Sequence, residues 1–141
     1  MDDSRDLHAT AVAVEGAGIL ILGASGAGKS DLALQLMALG AGLVADDRVR
    51  LRQRDGALVA SAPPGLPALI EARGVGLLHA RRVGPVALAL AVDLDRDEPE
   101  RLPPLRHFTA LGCRIPLLWR PPGIDFASAI FQVARSGRSL P

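Results

Sequence analysis

One eight-residue segment constrains the fold of this chain more than any other feature. The segment Gly23-Ala24-Ser25-Gly26-Ala27-Gly28-Lys29-Ser30 follows the apolar run Ile19–Leu22 and opens Lys29–Leu39, which is rich in Ala, Leu, Met and Gln. The spacing Gly-x4-Gly-Lys-Ser, set between a β-favouring run and a helix-favouring stretch, is typical of the phosphate-binding loop. The sequence therefore predicts a strand, a phosphate loop and a helix, in that order.

The residue types of this loop suit a polyphosphate ligand. Glycines allow successive backbone N–H groups to converge on phosphate oxygens, and the helix N-terminus adds partial positive charge. Lys29, the only lysine beside fifteen arginines, supplies a compact cation, and Ser30 supplies a hydroxyl ligand for Mg²⁺. We therefore predict binding of a nucleoside triphosphate. The alternatives are a glycine-rich turn with an incidental lysine and a degenerate loop that binds nucleotide without catalysis.

Apolar segments between glycines and prolines define the remaining elements. We expect five further strands, at His8–Val14, Gly42–Ala45, Gly74–His79, Val86–Val92 and Ile115–Trp119. We also expect a hairpin of Val49–Gln53 with Ala57–Ser61 around Asp55-Gly56, and a closing amphipathic helix over Asp125–Arg135. The order of elements from Ile19 to Ala45 predicts a βαβ unit with a right-handed crossover. Asp93–Pro104, acidic and proline-containing, is expected to be an exposed loop.

Composition narrows the class of protein. A length of 141 residues predicts a single domain over residues 1–141. Sixteen basic against fifteen acidic residues give no electrostatic reason to expect nucleic acid or an anionic membrane as a partner. The single cysteine, Cys113, excludes an internal disulfide, and no apolar run approaches the ~20 residues that span a bilayer. The polar N-terminus does not resemble a signal peptide, so we expect a cytoplasmic protein.

Three carboxylates are candidates for the chemistry of a bound triphosphate. Asp46-Asp47 end the strand that follows the helix, which a parallel crossover places at the same sheet edge as the loop. Neighbouring residues of a strand point to opposite faces, so we expect one aspartate at the metal and the other toward the phosphoryl acceptor. Glu71 precedes Arg73-Gly74-Val75-Gly76 and is a candidate third metal ligand. For each acid the alternative is a solvated surface carboxylate.

Four segments together resemble the catalytic domain of HPr kinase/phosphorylase. They are His8, the loop Gly23–Asp31, Leu43-Val44-Ala45-Asp46-Asp47 and Glu71-Ala72-Arg73-Gly74-Val75-Gly76. The phosphate loop is shared by many enzymes, whereas the other two segments are more particular, and the resemblance covers roughly residues 8–92. It implies an α/β fold of the HPr kinase/PEP carboxykinase type, with a mixed sheet, a phosphate-loop helix and a C-terminal helix.

The resemblance also implies an activity and its residues. It implies a Mg²⁺- and ATP-dependent serine kinase acting on HPr, the phosphocarrier of the phosphotransferase system, in a family that also removes that phosphate with inorganic phosphate. Lys29 and the loop would hold ATP, and Ser30, Asp47 and Glu71 would surround Mg²⁺. Asp46 would accept the proton of the substrate serine, with His8 close to that aspartate and tuning it. The ATP-binding residues would be Gly23, Ala24, Ser25, Gly26, Ala27, Gly28, Lys29, Ser30 and Asp31.

This chain departs from the family pattern in three places. Longer members carry an N-terminal domain, so the resemblance is to a short form. Separately, the family forms hexamers, which implies that this chain is a homo-oligomer. The loop has Ala24 where the family often has aspartate. Pro122-Gly123-Ile124-Asp125 lacks the arginine of the family's corresponding segment, which counts against the phosphorylase reaction.

Two other functions compete with a protein kinase. A nucleotide-dependent regulatory switch without turnover would need no second carboxylate, so the Asp46-Asp47 pair favours catalysis. A small-molecule kinase with the same loop usually needs a lid and a helical acceptor region. The chain after Asp47 is short and β-rich, which argues against it.

Overall fold

In the part of the chain that the structure describes, the apolar segments form a curled, mixed β-sheet with two helices, as the α/β interpretation predicts. The computed structural model describes residues 3–139. Its elements are β1 (Ser4–Leu7), β2 (Thr10–Val14), β3 (Ala17–Leu22), α1 (Lys29–Ala38), β4 (Gly42–Ala45), β5 (Val49–Arg54), β6 (Ala57–Ser61), β7 (Leu69–Ala72), β8 (Gly76–His79), β9 (Val86–Asp97), β10 (His107–Ala110), β11 (Cys113–Arg120) and α2 (Phe126–Ser136).

Strand β9 joins the parts of the main sheet. The strand order is β1-β5-β6-β9-β3-β2-β4, with β11 also paired to β9 and β10 paired to β11. The pairs β3–β9 and β9–β11 are parallel, and the other pairs of this sheet are antiparallel. The hairpin β7–β8 forms a separate two-stranded sheet. The predicted mixed sheet with a phosphate-loop helix and a C-terminal helix is therefore confirmed.

The strand–loop–helix–strand order around the phosphate loop is also confirmed. Strand β2 lies between β3 and β4 and is antiparallel to both. Strands β3 and β4 therefore run in the same direction, and their carboxyl ends lie at one edge of the sheet. This topology brings the loop after β3 and the acidic pair after β4 to the same side of the molecule.

Both faces of the central strands are buried, which explains their continuous apolar sequences. In β3, Leu20 packs into one core cluster with residues of β5 and β6. Its neighbours Ile19 and Ile21 pack into a second cluster, with residues of α1 and α2. Ile130 of α2 is fully buried there, as its helical spacing predicts.

The structure corrects several expected boundaries. The strand expected over His8–Val14 begins at Thr10, and His8 lies in the connection between β1 and β2. The loop expected over Asp93–Pro104 is wrong for its first five residues, because β9 continues to Asp97. Asp93 pairs with Leu22 on one side and Trp119 on the other, so backbone pairing from two strands overrides the polar composition. Strands β1, β7 and β10 were not predicted from the sequence.

Candidate active site

The phosphate loop has the conformation that its glycines favour. Gly23, Gly26 and Gly28 all have positive φ, which costs a residue without a Cβ little. Lys29 begins α1 and is only 7% exposed. Its Nζ donates hydrogen bonds to the carbonyl oxygens of Gly23 at 2.6 Å and Ala24 at 3.1 Å. The ammonium is thus held against the start of the loop.

Two side chains from distant strands also hold the loop. The N–H of Ala24 donates to both carboxylate oxygens of Asp95, at 3.1 and 3.0 Å. Arg120, the last residue of β11, donates from Nη2 to the carbonyl oxygen of Ala27 at 2.7 Å. Sequence analysis missed both residues, because each lies outside the loop motif and only the register of β9 and β11 brings it there.

Asp46 lies against the hydroxyl that opens the helix. Ser30 Oγ donates to the two carboxylate oxygens of Asp46, at 2.8 and 3.0 Å. Thr10, fully buried in β2, donates its hydroxyl to Oδ1 at 2.8 Å. The carboxylate is therefore fixed by hydroxyl groups from two different elements.

Asp47 points elsewhere and is open to solvent. Its φ of 71° is left-handed, a conformation that aspartate tolerates better than most residues. Strand β4 ends at Ala45, and the backbone bends at Asp46 and Asp47. The side chain is 76% exposed, and Oδ1 lies 3.2 Å from Nδ1 of His8. The same nitrogen lies 3.0 Å from the backbone oxygen of Asp47.

His8 links this aspartate to the phosphate loop. Its other ring nitrogen, Nε2, lies 3.2 Å from Oγ of Ser25. The expectation that His8 lies beside Asp46 is wrong, because the contacts of its ring are with Asp47 and Ser25. The neighbours of the two aspartates are thus exchanged: Asp46 contacts the expected metal ligand Ser30, and Asp47 contacts His8. Strand alternation predicts that the aspartates diverge but not which way each one points.

Most of the expected site residues line one cavity of about 680 Å³. Among the described residues, its lining includes the loop, His8, Asp47 and Glu71, whereas Asp46 is not part of it. A smaller recess of about 380 Å³ shares His8 and Asp47 and continues past Arg48 toward β1. The exposed carboxylate of Asp47 therefore lies where the phosphate-loop cavity meets a second recess. The volume of the phosphate-loop cavity lies in the range of small-ligand and cofactor sites.

The donor set suits a magnesium ion bound mainly by its polyphosphate. Within residues 3–139, no cluster of three or more His, Cys, Asp and Glu side chains has the geometry of a metal site. Mg²⁺ keeps several waters and commonly takes one or two protein oxygens together with substrate phosphates. Ser30 and Glu71 both line the cavity, and the carboxylate of Asp46 supports Ser30. These hard oxygen donors fit the ion.

Comparison with known proteins places the chain in a family. Residues 1–88 match the family model described as the HPr serine kinase C-terminal domain. This chain belongs to that family. The matched residues include the phosphate loop, both aspartates, His8 and Glu71.

Named relatives and a solved structure agree with this family assignment. HPr kinase/phosphorylase 1 of Oceanobacillus iheyensis is 46% identical over 74 residues, which are 52% of this chain and 24% of that protein. HPr kinase/phosphorylase of Geobacillus kaustophilus is 43% identical over 103 residues, 67% of this chain and 33% of that protein. This chain therefore spans a quarter to a third of these curated relatives. The structure of the Hpr(Ser) kinase/phosphatase from Coxiella burnetii superimposes with a TM-score of 0.77 at 26% identity, covering 93% of this chain and 88% of that one.

The structure also bears on the expected absence of a membrane segment. Neither helix within residues 3–139 has the length and apolar character needed to cross a bilayer.

Proposed function

We propose that this chain is a Mg²⁺- and ATP-dependent protein-serine kinase domain that phosphorylates HPr or an HPr-like phosphocarrier. One observation carries the proposal: the exposed carboxylate of Asp47, in contact with His8, opens onto the same cavity as the phosphate loop. A domain that merely bound nucleotide would need no solvent-facing carboxylate at this position. Family membership supports the same acceptor, since the named relatives are HPr kinases.

The loop would hold the triphosphate of ATP. Backbone N–H groups of the loop and the N-terminus of α1 provide partial positive charge, and Lys29 adds a full one. Ser30 and Glu71 would hold Mg²⁺, which neutralises charge on the phosphate oxygens when bound. Asp46 would orient Ser30 from behind through their hydrogen bonds.

Asp47 would be the acid/base in place of Asp46. In the kinase direction the hydroxyl oxygen of the acceptor serine forms a bond to the γ-phosphorus, and the bond to the bridging oxygen of ADP breaks. The serine proton passes to the carboxylate of Asp47. In phosphorolysis an oxygen of inorganic phosphate would form a bond to the phosphorus of phosphoserine, and the bond from that phosphorus to the serine oxygen would break. The protonated carboxyl of Asp47 would give its proton to the serine oxygen, and pyrophosphate would leave. Asp46, already accepting from Ser30 and Thr10, is less available for this proton.

The test is transfer of phosphate to purified HPr. The chain is incubated with Mg·ATP and HPr, and the intact mass of HPr is measured before the modified residue is mapped. We expect one phosphate on a serine, and loss of transfer in Asp47→Asn with ATP binding retained by calorimetry. Asp55→Asn is the matched control, because Asp55 is also exposed with positive φ but lies in the β5–β6 turn.

Two results would contradict the proposal. Tight ATP binding with HPr left unmodified would support the regulatory switch instead. Transfer that survives unchanged in Asp47→Asn would remove this carboxylate from the reaction. Adding inorganic phosphate to serine-phosphorylated HPr and measuring pyrophosphate decides the reverse reaction.

A further inference from the structure

We infer that Ser25 is a positioning residue that acts on Asp47 through His8; the kinetic part of this inference rests on the proposed kinase function. Three groups from separate parts of the chain form a continuous series of contacts. Ser25 Oγ lies 3.2 Å from His8 Nε2, and His8 Nδ1 lies 3.0 and 3.2 Å from two oxygens of Asp47.

The partners of His8 fix the direction of each hydrogen bond. The backbone oxygen of Asp47 can only accept, so Nδ1, which lies 3.0 Å from it, is the ring nitrogen that donates. Nε2 is then an unprotonated acceptor, and the hydroxyl of Ser25 donates to it. The hydroxyl of Ser25 therefore stabilises the tautomer that the oxygens of Asp47 select, in which the ring donates to Asp47.

His8 depends on these contacts because no strand holds it. It lies between β1 and β2, and its side chain is 53% exposed. Without the hydroxyl of Ser25, Nε2 faces the open cavity, and both the other tautomer and other ring orientations become accessible. The carboxylate of Asp47, which takes the substrate proton, would then lose the hydrogen bond from Nδ1 of His8 that orients it.

A role in positioning differs measurably from a role in holding nucleotide. The loop N–H groups and Lys29 remain in Ser25→Ala, so the KM for ATP should stay within about twofold. We expect kcat for phosphate transfer to HPr to fall about tenfold, the size of one net hydrogen bond. Ser25→Thr, which keeps the hydroxyl, should restore kcat. A hydroxyl that merely contacted ATP would instead raise KM.

A double-mutant cycle tests whether Ser25 acts through His8. In a His8→Ala background, Ser25→Ala should lower kcat less than twofold further, because the ring through which it acts is gone. Independent, multiplicative losses would overturn the inference. Ser136→Ala, at the exposed end of α2, is the matched serine control and should leave both kinetic constants unchanged.

A spectroscopic measurement tests the contacts without using activity. Two-dimensional ¹H–¹⁵N spectra of the imidazole rings report the tautomer, with His8 assigned through His8→Asn and the signals of His79 and His107 as internal references. We expect the Nδ1–H tautomer in the wild type and Ser25→Thr, and a mixture in Ser25→Ala. An unchanged spectrum in Ser25→Ala would overturn the inference, even if HPr is phosphorylated. The expected spectra with no phosphate transfer would refute the proposed function and keep the positioning contact.

Discussion

The hydroxyl of Ser30 donates to both carboxylate oxygens of Asp46, at 2.8 and 3.0 Å. This contact separates two adjacent aspartates that have the same chemistry. Asp46 accepts hydrogen bonds from Ser30 in the first turn of α1. The side chain of Asp47, which is 76% exposed, faces the cavity beside His8. Position, rather than residue type, thus gives the pair two different environments.

Replacing each of the two aspartates by asparagine should change different kinetic properties, the magnesium dependence for Asp46 and kcat for Asp47. Asp46→Asn removes a charge behind Ser30, so we expect the Mg²⁺ concentration for half-maximal activity to rise about tenfold, as for other groups that orient a metal ligand. Asp47→Asn removes the base, so we expect kcat to fall by about 10² or more with ATP affinity retained. Magnesium titrations and calorimetry of both variants measure this difference. Equal losses of kcat with unchanged magnesium dependence would contradict the assignment.

Arg120 should support nucleotide binding without contacting nucleotide. Its guanidinium donates a hydrogen bond to the carbonyl oxygen of Ala27, and Arg120 is not among the residues that line the cavity. Asp95 accepts a hydrogen bond from the N–H of Ala24 in the same loop. Arg120→Met removes a charged hydrogen bond worth about 1.5–3 kcal/mol, and the loop must then be ordered by ATP itself. We expect ATP to bind at least tenfold more weakly by calorimetry. Arg114→Met, an exposed position of the same strand, is the control, and equal affinities in the two variants would refute the role.

Local sequence patterns predicted the centre of this site, and long-range register supplied the rest. The phosphate loop, Lys29, Ser30 and the acidic pair lie within one strand–helix–strand unit whose signals are local. Asp95 and Arg120 meet the loop from 71 and 93 residues away, through the pairing of β9 with β3 and β11. No motif encodes that pairing.

The partner of His8 was mispredicted for a different physical reason. The resemblance placed His8 beside the first aspartate, and strand alternation indicates only that the two side chains diverge. Asp47 instead has a φ of 71°. A single left-handed residue redirects its side chain, and aspartate is among the residues that adopt this conformation without an obvious sequence signal.

Gly18 should be required for the junction of β3 with β9. A Cβ at this position would lie 2.8 Å from Cγ2 of Val86 and 2.9 Å from the backbone oxygen of Ala87. Backbone cannot move aside as a flexible side chain can, so we expect Gly18→Ala to lower the free energy of unfolding by about 1–3 kcal/mol. Urea denaturation measures it. Ala17→Gly, which creates space at the adjacent residue, is the comparison, and an unchanged midpoint in Gly18→Ala would contradict the close approach.

Glu98 should make stability depend on pH in the acidic range. Its carboxylate is 6% exposed and accepts hydrogen bonds from Arg106 at 3.2 and 2.9 Å, while Arg106 also stacks 3.5 Å from the ring centroid of Trp119. The bonds from Arg106 lower the pKa of Glu98 below its ordinary value of 4.5, against the opposing effect of burial. An acid with a lower pKa in the folded state stabilises the fold above its unfolded pKa. That contribution is lost as the pH falls through the folded value.

Comparison with Glu98→Gln isolates this contribution, because glutamine cannot ionise. We expect the wild type to exceed the variant in free energy of unfolding by about 2 kcal/mol at pH 7, from the charge-assisted hydrogen bonds. The difference should persist down to about pH 5 and shrink below 4.5, as the wild-type carboxyl takes up its proton. Urea denaturation at several pH values measures it, with Glu100→Gln at an exposed neighbouring position as the control. A difference that stayed constant from pH 7 to pH 3 would show that packing, rather than the charge on Glu98, accounts for the effect.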